Sequence, residues 1–338
     1  MMKPFRLLVF ATGFALALSA CGAEPETAAP ASAAPATSSA FPVSITHTFG
    51  TTEIAKQPER VVTLGIGSED ALLALGVVPV AIPFATYGAD EKGMRPWIKD
   101  KLQQLGAATP TILSNSEEPP YEEIVNARPD LILATYSGIT KEQYDTLSKI
   151  APTVGYPGEA WSTPWKDIVT TAGLAIGKKD DAQKVLDGIG TAVAEAAKAH
   201  PELTGKSVAF VWDSSGTFYV YTKADPRVEF GLDLGLTDAP AVSALDSDEN
   251  LVTYTLSYEK LDSLESDILV NFATTQDEAD TFLRADYAQA MSQVKRGTVA
   301  SIVGAELISA VSPPTALSLT WGLDAYVSAL SAAAKKAG

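Results

Sequence analysis

The sequence predicts an α/β protein made of two α/β lobes, each with a central, mainly parallel sheet, joined by a long rigid helix and enclosing a ligand cleft between them. Three observations support this prediction. A strand, a helix and a strand follow one another in residues 60–82, the same short unit occurs in both halves of the chain, and a long amphipathic segment separates the two occurrences. Strands and helices that alternate at this spacing are typical of parallel sheets with crossover helices.

The first strand, helix and strand are predicted from residues 60–82. Residues 60–65 (Arg-Val-Val-Thr-Leu-Gly) form a β-branched, apolar run that ends in a turn. In the next segment, Ser68 is expected to cap a helix, the two acidic residues after it to favour the positive end of that helix, and Gly76 to end it. Residues 77–82 are then expected to form a second strand.

A short unit of sequence is repeated in the two halves of the chain. Residues 120–134 begin with Pro-Tyr-Glu-Glu and residues 257–270 begin with Ser-Tyr-Glu-Lys. In each, Tyr-Glu opens a predicted short helix, an aspartate ends the following turn, and an apolar strand comes next. The repetition indicates two similar lobes.

The segment between the repeated units is predicted to be helical. Its first part, residues 165–176, ends at Gly177, and its second part, residues 180–199, carries apolar side chains on one side at helical spacing. We therefore expect an N-terminal lobe over 41–164, a connecting helical segment over 165–200 and a C-terminal lobe over 201–338. A surface helix within a single domain is the alternative.

The first forty residues have the composition of an export signal and a linker. Lys3 and Arg6 precede an uncharged apolar run and small residues, and Cys21 is the only cysteine of the chain. Leu-Ser-Ala-Cys resembles the lipobox of bacterial lipoproteins, which implies a signal peptide over 1–20, lipidation of Cys21 and a location on the extracytoplasmic face of the cell membrane. Residues 21–40 are rich in Ala, Pro, Ser and Thr, and predict a flexible linker. A soluble secreted protein and a membrane span are the alternatives, but the apolar run is too short for a span.

Charge and composition exclude several classes of function. Without residues 1–20 the chain has 23 basic and 41 acidic residues, a formal charge of −18, which disfavours nucleic acid as a partner. Two histidines cannot supply a cluster of metal ligands, and so we expect no metal site and no bound cofactor. Gly65-Ile-Gly lacks the third glycine of a dinucleotide site, and the chain has no Gly-x-Ser-x-Gly motif. We therefore do not expect an enzyme.

Several motifs, taken together, resemble those of the substrate-binding proteins of iron-siderophore ABC importers. They are Arg60-Val-Val, Ala71-Leu-Leu-Ala-Leu-Gly-Val, Tyr121-Glu-Glu-Ile, Arg128-Pro-Asp-Leu-Ile-Leu, Trp161-Ser-Thr-Pro-Trp and Ser318-Leu-Thr-Trp-Gly-Leu-Asp. The resemblance implies a monomer that captures a ferric siderophore, whose iron is held by the siderophore, and delivers it to a permease and its ATPase. It also implies that Glu122 and Glu259, one on each lobe, dock into arginine pockets of the permease, in addition to any favourable interaction with their own helix ends.

The ligand cleft is expected at the carboxyl ends of the parallel strands. Loops after predicted strands would carry aromatic side chains that suit a bulky ferric chelate, and a cation or hydroxyl donors would meet its negative oxygens. The candidate ligand-binding residues are Tyr87, Tyr136, Trp161, Trp212, Tyr219, Arg227 and Phe272. Arg95 and Arg284 are further candidates for the cation. For each aromatic residue a core or rim position is the alternative, and for Arg227 it is a surface ion pair.

Other ligands and another class of protein remain open from the sequence. Haem could take a tyrosinate ligand such as Tyr136 or Tyr219, and cobalamin is carried by related folds. A surface lipoprotein without a transport function is the alternative from a different class.

Overall fold

The computed structural model of the protein describes residues 40–246 and 252–338, which belong to one compact unit. The predicted signal peptide, Cys21 and the linker up to residue 39 lie outside the described residues. The elements before the connecting segment are β1 (Val43–His47), β2 (Gly50–Ile54), β3 (Val61–Gly65), α1 (Ser68–Ala74), β4 (Ala81–Ile82), α2 (Pro96–Gln104), β5 (Thr111–Ile112), α3 (Tyr121–Ala127), β6 (Leu131–Tyr136), α4 (Lys141–Leu147) and β7 (Thr153–Val154).

The N-terminal lobe has a parallel sheet with the strand order β5-β4-β3-β6-β7. Strands β3 and β6 form its centre and are buried along almost their whole length, as expected of strands covered on both faces. The hairpin β1–β2 packs beside this sheet, against β7. The predicted parallel sheet with crossover helices is confirmed.

Two details of the first strand–helix–strand unit differ from the prediction. Helix α1 is capped by Gly67, in the left-handed region at φ 86°, and the Ser68 hydroxyl instead bonds to Thr135 of β6 at 2.7 Å. Only Ala81 and Ile82 of the predicted strand 77–82 join the sheet. Val77 instead belongs to the end of α1, because its N–H donates a hydrogen bond to the Leu72 carbonyl. Gly76 ends the helix as predicted, at φ 74°.

The connecting segment forms two helices, as predicted. They are α5 (Trp165–Ala175) and α6 (Lys179–Ala199). Helix α5 packs on α1, β1 and β6 of the N-terminal lobe, and α6 packs on α5, on α7 (Pro226–Asp233) and on α13 (Ser318–Ala334). The helix boundaries match the prediction, whereas the division into lobes at 164/165 and 200/201 remains a prediction.

The C-terminal lobe has a six-stranded mixed sheet. Its other elements are β8 (Ser207–Ser214), β9 (Thr217–Tyr221), β10 (Thr237–Asp238), α8 (Pro240–Leu245), β11 (Thr253–Thr255), β12 (Ile268–Ala273), α9 (Gln276–Arg284), α10 (Asp286–Ala290), α11 (Ser292–Arg296), β13 (Val299–Val303), α12 (Ala305–Val311), and 3₁₀ helices over 201–203 and 258–263. The strand order is β11-β9-β8-β12-β13, with β10 beside the start of β8. Strands β8, β10, β12 and β13 are parallel, whereas β9 and β11 are antiparallel additions.

The repeated sequence units occupy equivalent places in the two lobes. Tyr121 begins α3 and Tyr258 begins the 3₁₀ helix over 258–263, and each helix leads into a central strand. The Asp130 carboxylate accepts hydrogen bonds from the backbone N–H groups of Glu59 and Arg60, just before β3. The Asp267 carboxylate accepts one from the N–H of Ser207, at the start of β8. Each aspartate thus ties the start of its own strand to the start of the neighbouring parallel strand.

Among the described residues, no helix is both long enough and apolar enough to cross a membrane.

A buried histidine lies at the end of the first strand of the N-terminal hairpin. His47 is 5% exposed and contacts the rings of Phe49 and Tyr144. Its Nδ1 accepts the Phe49 N–H at 3.2 Å, and its Nε2 lies 2.9 Å from the hydroxyl of Thr52. Burial lowers the pKa of His47 below its ordinary 6.5. The neutral ring therefore fits this site, and the charged ring does not.

We predict that protonation of His47 lowers the free energy of unfolding as the pH falls. Its contribution is fully present above about pH 6.5, the unfolded-state pKa, and is lost as the pH falls toward the lower folded-state pKa. Urea unfolding of wild type and His47→Gln between pH 8 and pH 5 measures this as a difference in slope. Ser44→Ala, at an exposed and non-titrating position of the same hairpin, is the control and should keep the wild-type slope. Equal slopes in wild type and His47→Gln would contradict the prediction.

Candidate functional site

A cavity of about 330 Å³ opens at the carboxyl end of the N-terminal sheet. We call it the N-lobe cavity. Its walls come from the residues that follow β3, β4, β5 and β6, which is where parallel sheets bind ligands. The lining includes apolar Leu64 and Phe84, the hydroxyls of Ser114 and Ser137, and the guanidinium-bearing Arg95.

A smaller chamber of about 140 Å³, which we call the inter-lobe chamber, lies between residues of the two lobes. Tyr87, Arg95 and Trp97 line it from the N-terminal lobe, and Ser309 and Thr315 line it from the segment around α12. Arg95 thus lines both spaces. Because Tyr87 follows β4 in a loop, the structure agrees with the predicted position of this residue.

A row of aromatic side chains forms the facing part of the C-terminal lobe. Trp212 on β8 is paired in register with Tyr219 on β9 and with Phe272 on β12. The rings of Trp212 and Phe272 are 6.1 Å apart, and the Trp212 ring lies 6.4 Å from that of Tyr87 in the other lobe. The structure therefore brings Tyr87 and Trp212 together across the lobes.

The predicted loop position of Tyr136 is wrong, because β6 continues to this residue. The predicted loop positions of Trp212 and Phe272 are also wrong. Both residues lie within strands, because the pairing of β8 with β12 continues through Phe272 and Trp212. Phe272 is only 1% exposed and is enclosed by Phe210, Trp212 and Tyr221. Its ring packs beside that of Trp212 on the same face of the sheet, whereas Trp212 and Tyr219 are half-buried and have accessible surface.

Arg227 lies at the start of α7, where its surroundings are mostly buried. Its Nε donates to the Asp225 carboxylate at 2.6 Å, and its guanidinium lies 3.8 Å from the centre of the Tyr221 ring. The side chains of Arg227 and Asp225 are 17% and 7% exposed, so the alternative of a surface ion pair is wrong. Burial raises the pKa of Asp225, and the charge of Arg227 opposes that rise in part.

Tyr136 and Trp161 form the N-terminal side of the same region. Their rings meet edge to face at 5.7 Å. Trp161 has a left-handed backbone, at φ 58°, and a side chain that is 52% exposed at the rim of the N-lobe cavity. Burial, and after it the charge of Asp225, raise the pKa of Tyr136. Tyr136 is therefore close to the Arg227–Asp225 pair of the other lobe.

The two further cation candidates have different surroundings. Arg284 is exposed in the last turn of α9 and lines neither of the two spaces. Arg95 is mostly buried, and its Nη1 lies 3.4 Å from the Glu69 carboxylate. Of the two, only Arg95 has a place in the candidate site.

Sequence reasoning missed the buried state of Glu69 and Asp70. They lie in the first turn of α1, as expected, but are 2% and 0% exposed. Burial, followed by the charge of Asp70, raises the pKa of Glu69 to about 7. Burial also raises the pKa of Asp70, whose carboxylate accepts a hydrogen bond from Thr315 at 2.5 Å. The one signal in the sequence was their position directly before the apolar run Ala-Leu-Leu.

The two predicted docking glutamates lie exposed in the first turns of their helices. Their immediate neighbours are tied to the strand ends. Glu123, next to Glu122, accepts the N–H of Ser114 at 2.9 Å, and Tyr258, next to Glu259, donates to Asp213 at 2.7 Å. Ser114 lines the N-lobe cavity and Asp213 follows Trp212.

The described residues, 40–246 and 252–338, contain no group of three or more His, Cys, Asp or Glu side chains that could hold a metal ion.

Comparison with known proteins gives consistent matches to binding proteins. The sequence profile of the periplasmic binding proteins matches residues 61–303. The putative ABC transporter substrate-binding lipoprotein YhfQ of Bacillus subtilis is 33% identical over 43% of this chain and 42% of its own length. The probable siderophore-binding lipoprotein YfiY of the same organism is 29% identical over 70% of each chain. The crystal structure of Streptococcus pneumoniae PiaA in complex with ferrichrome is 31% identical, with a TM-score of 0.78 over 88% of this chain and 100% of that one.

We predict that the charge of Arg227 is needed to hold the buried Asp225 carboxylate in the fold. Arg227→Gln leaves that carboxylate without its counter-charge and should lower the free energy of unfolding by about 3 kcal/mol. Urea unfolding at pH 7.5 measures the loss. Lys184→Gln, which removes the charge from an exposed pair with Asp181, is the matched control and should leave the stability unchanged. Equal stabilities of the two variants would contradict the prediction.

Proposed function

This chain belongs to the periplasmic binding protein family, and we propose that it is the substrate-binding lipoprotein of an ABC importer, which captures a ferric siderophore and delivers it to the permease. The observation that carries the proposal is the meeting of aromatic rings and a cation between the lobes. Tyr87 and Trp212 face each other at 6.4 Å, and the guanidinium of Arg227 stacks on Tyr221 nearby on the C-terminal lobe.

The chemistry of this region suits a ferric chelate. A ferric siderophore presents a broad, partly apolar surface and oxygen atoms that carry negative charge. Aromatic faces at Tyr136, Trp161, Trp212 and Tyr219 would offer apolar contact. Arg227 lines neither of the two spaces, but its guanidinium, stacked on Tyr221, would offer charged hydrogen-bond donors to a ligand seated on the aromatic row. Phe272, which is enclosed beside Trp212, then has a supporting role. YfiY and the PiaA complex, which are named for siderophore binding and for ferrichrome, add support from sequence relatives.

Haem is the alternative ligand, with Tyr136 or Tyr219 as its axial ligand. Burial and the charge of Asp225 raise the pKa of Tyr136 and so disfavour its tyrosinate form in the ligand-free protein. The proposed ligand instead carries its own iron, and the protein provides contacts to the siderophore and no metal ligand. The proposed function is binding without catalysis.

The remaining steps of the proposed function involve the membrane and the permease. Lipidated Cys21 would hold the protein at the extracytoplasmic face, with residues 21–40 as a tether. Glu122 and Glu259, exposed on the two lobes, would pair with arginines of the permease, whose ATPase then drives uptake. The protein would act as a monomer, without nucleic acid as a partner.

We predict that one ferric chelate binds with submicromolar affinity through Arg227. Tryptophan fluorescence of the chain starting at Gly22 is titrated with ferrichrome, ferric enterobactin, haemin and cobalamin. The double variant Asp225→Asn/Arg227→Gln removes both charges together and should weaken a bound ferric chelate about thirtyfold, because hydrogen bonds to a charged group are lost.

The control for this titration is a second ion pair near the lobe boundary. Lys166→Gln/Glu229→Gln removes an exposed pair and should leave the affinity unchanged. A response to haemin or cobalamin alone would replace the proposed ligand, and no response to any of the four would contradict the proposed function.

We predict that transport depends on the two exposed glutamates while ligand binding does not. The double variant Glu122→Lys/Glu259→Lys should bind the ferric chelate as wild type does and abolish its uptake by cells, because lysines repel the permease arginines. Glu53→Lys/Asp277→Lys makes the same change in net charge at exposed positions and should support normal uptake. Normal uptake by the first variant would contradict the docking role.

A further inference from the structure

Arg95 is held from behind by a buried carboxylate. Of the described residues that line the N-lobe cavity, Arg95 is the only basic one, and it also lines the inter-lobe chamber. Its guanidinium lies 3.4 Å from Glu69, which is 2% exposed, and Arg95 itself is 12% exposed. The second oxygen of Glu69 is buried and has no hydrogen-bond partner among the described residues. The N-lobe cavity is therefore lined by the guanidinium of Arg95, whose positive charge is balanced by the buried carboxylate of Glu69.

We propose that Glu69 is a positioning residue that controls how much of the positive charge of Arg95 reaches a ligand, so that the N-lobe cavity accepts anionic chelates more tightly when Glu69 carries a proton. This inference rests on the proposed function, because it assigns the charge preference of the same site. A neutral Glu69 leaves the guanidinium with an uncompensated charge, and an ionised Glu69 neutralises it.

The groups around the pair allow such a change of charge. Asp70 lies beside Glu69 on α1 and is fully buried, and Tyr87 approaches from the loop after β4. Glu117 and Glu118 lie on the same cavity wall as Arg95, and Lys99 of α2 is paired with Asp90 at 2.6 Å. From the C-terminal lobe, residues 309–315 contribute hydroxyl and apolar side chains but no charge. Arg95 is therefore the direct ionic partner of Glu69.

The protonation of Glu69 changes in an accessible pH range. Burial and the neighbouring Asp70 raise its pKa to about 7, against the opposing effect of Arg95. Lowering the pH from 8.5 to 6.5 thus adds a proton to Glu69 and should strengthen the binding of an anion. By linkage, the anion in turn favours uptake of that proton.

The test compares an anionic and a neutral probe. The dissociation constants of ferric enterobactin, a trianion, and of ferrichrome, which is neutral, are measured by tryptophan fluorescence at pH 6.5 and pH 8.5. In wild type the ratio of the two constants should shift about tenfold in favour of the anion at the lower pH, as one charge at roughly 10 Å implies. In Glu69→Gln the ratio should stay constant and match the wild-type ratio at pH 6.5. Because any titration of the probe itself would also change the ratio in this variant, the comparison separates that effect from the protonation of Glu69.

Two further variants separate charge control from a purely structural role. Arg95→Gln should abolish the pH dependence of the ratio, whereas Glu118→Gln, an acid on the cavity wall, should keep it. Thermal unfolding reports whether each variant is folded, and calorimetry in buffers of different ionisation enthalpy should detect proton uptake on anion binding in wild type and not in Glu69→Gln.

The outcomes distinguish this inference from the proposed function. A constant ratio in wild type, the same shift in Glu69→Gln, or binding of ferrichrome without any binding of ferric enterobactin would overturn the role of Glu69 and leave the proposed function intact. Failure of both ferric probes to bind would overturn the proposed function and, with it, this inference.

Discussion

The structure depends on an apolar core that both lobes share. Ile168 of α5, Ile189 and Val193 of α6, Phe210 of β8 and Leu323 of α13 belong to one continuous buried cluster. Gly173 lets α5 approach the Ala182 methyl of α6 closely, which leaves little room for the two helices to move apart. A hinge between the lobes would have to expose part of this core. Large opening motions are therefore costly, and the cleft is set mainly by packing.

Two specific contacts between the lobes, one polar and one aromatic, also fix the orientation of one lobe relative to the other. The Asp70–Thr315 hydrogen bond is buried, and the rings of Trp97 and Trp321 meet at 5.5 Å across the same boundary. The bond from Thr315 satisfies one of the two buried oxygens of Asp70, and breaking it would leave both without a partner, so this contact favours one arrangement of the lobes over its neighbours. The same acidic turn holds Arg95. The first turn of α1 thus has two roles. Asp70 joins the lobes through Thr315, and Glu69 sets the charge that Arg95 presents to the cavity.

The sequence predicted the fold well wherever the pattern was local. The helices 165–176 and 180–199, the stop at Gly76 and the two Tyr-Glu units follow from periodicity and capping, which depend on near neighbours. The errors concern long-range contacts. Ser68 bonds to Thr135, 67 residues away, and the pairing of β8 with β12 decides that Phe272 is enclosed. The burial of Glu69 likewise depends on Arg95 and on the return of the chain near Thr315, and its position before an apolar run was the one local sign of it.

The equivalence of the lobes gives the docking hypothesis a geometric basis. Asp130 and Asp267 fix the starts of adjacent parallel strands in each lobe, and the helices with Glu122 and Glu259 precede those aspartates by a few residues. Glu123 and Tyr258 anchor the same helices to the opposite strand ends. Each exposed glutamate is therefore held at both ends of its unit, and the shared core holds the two units relative to one another. A pair of carboxylates at a fixed separation is what two identical permease subunits could recognise, because a flexible separation would reduce the benefit of binding both at once.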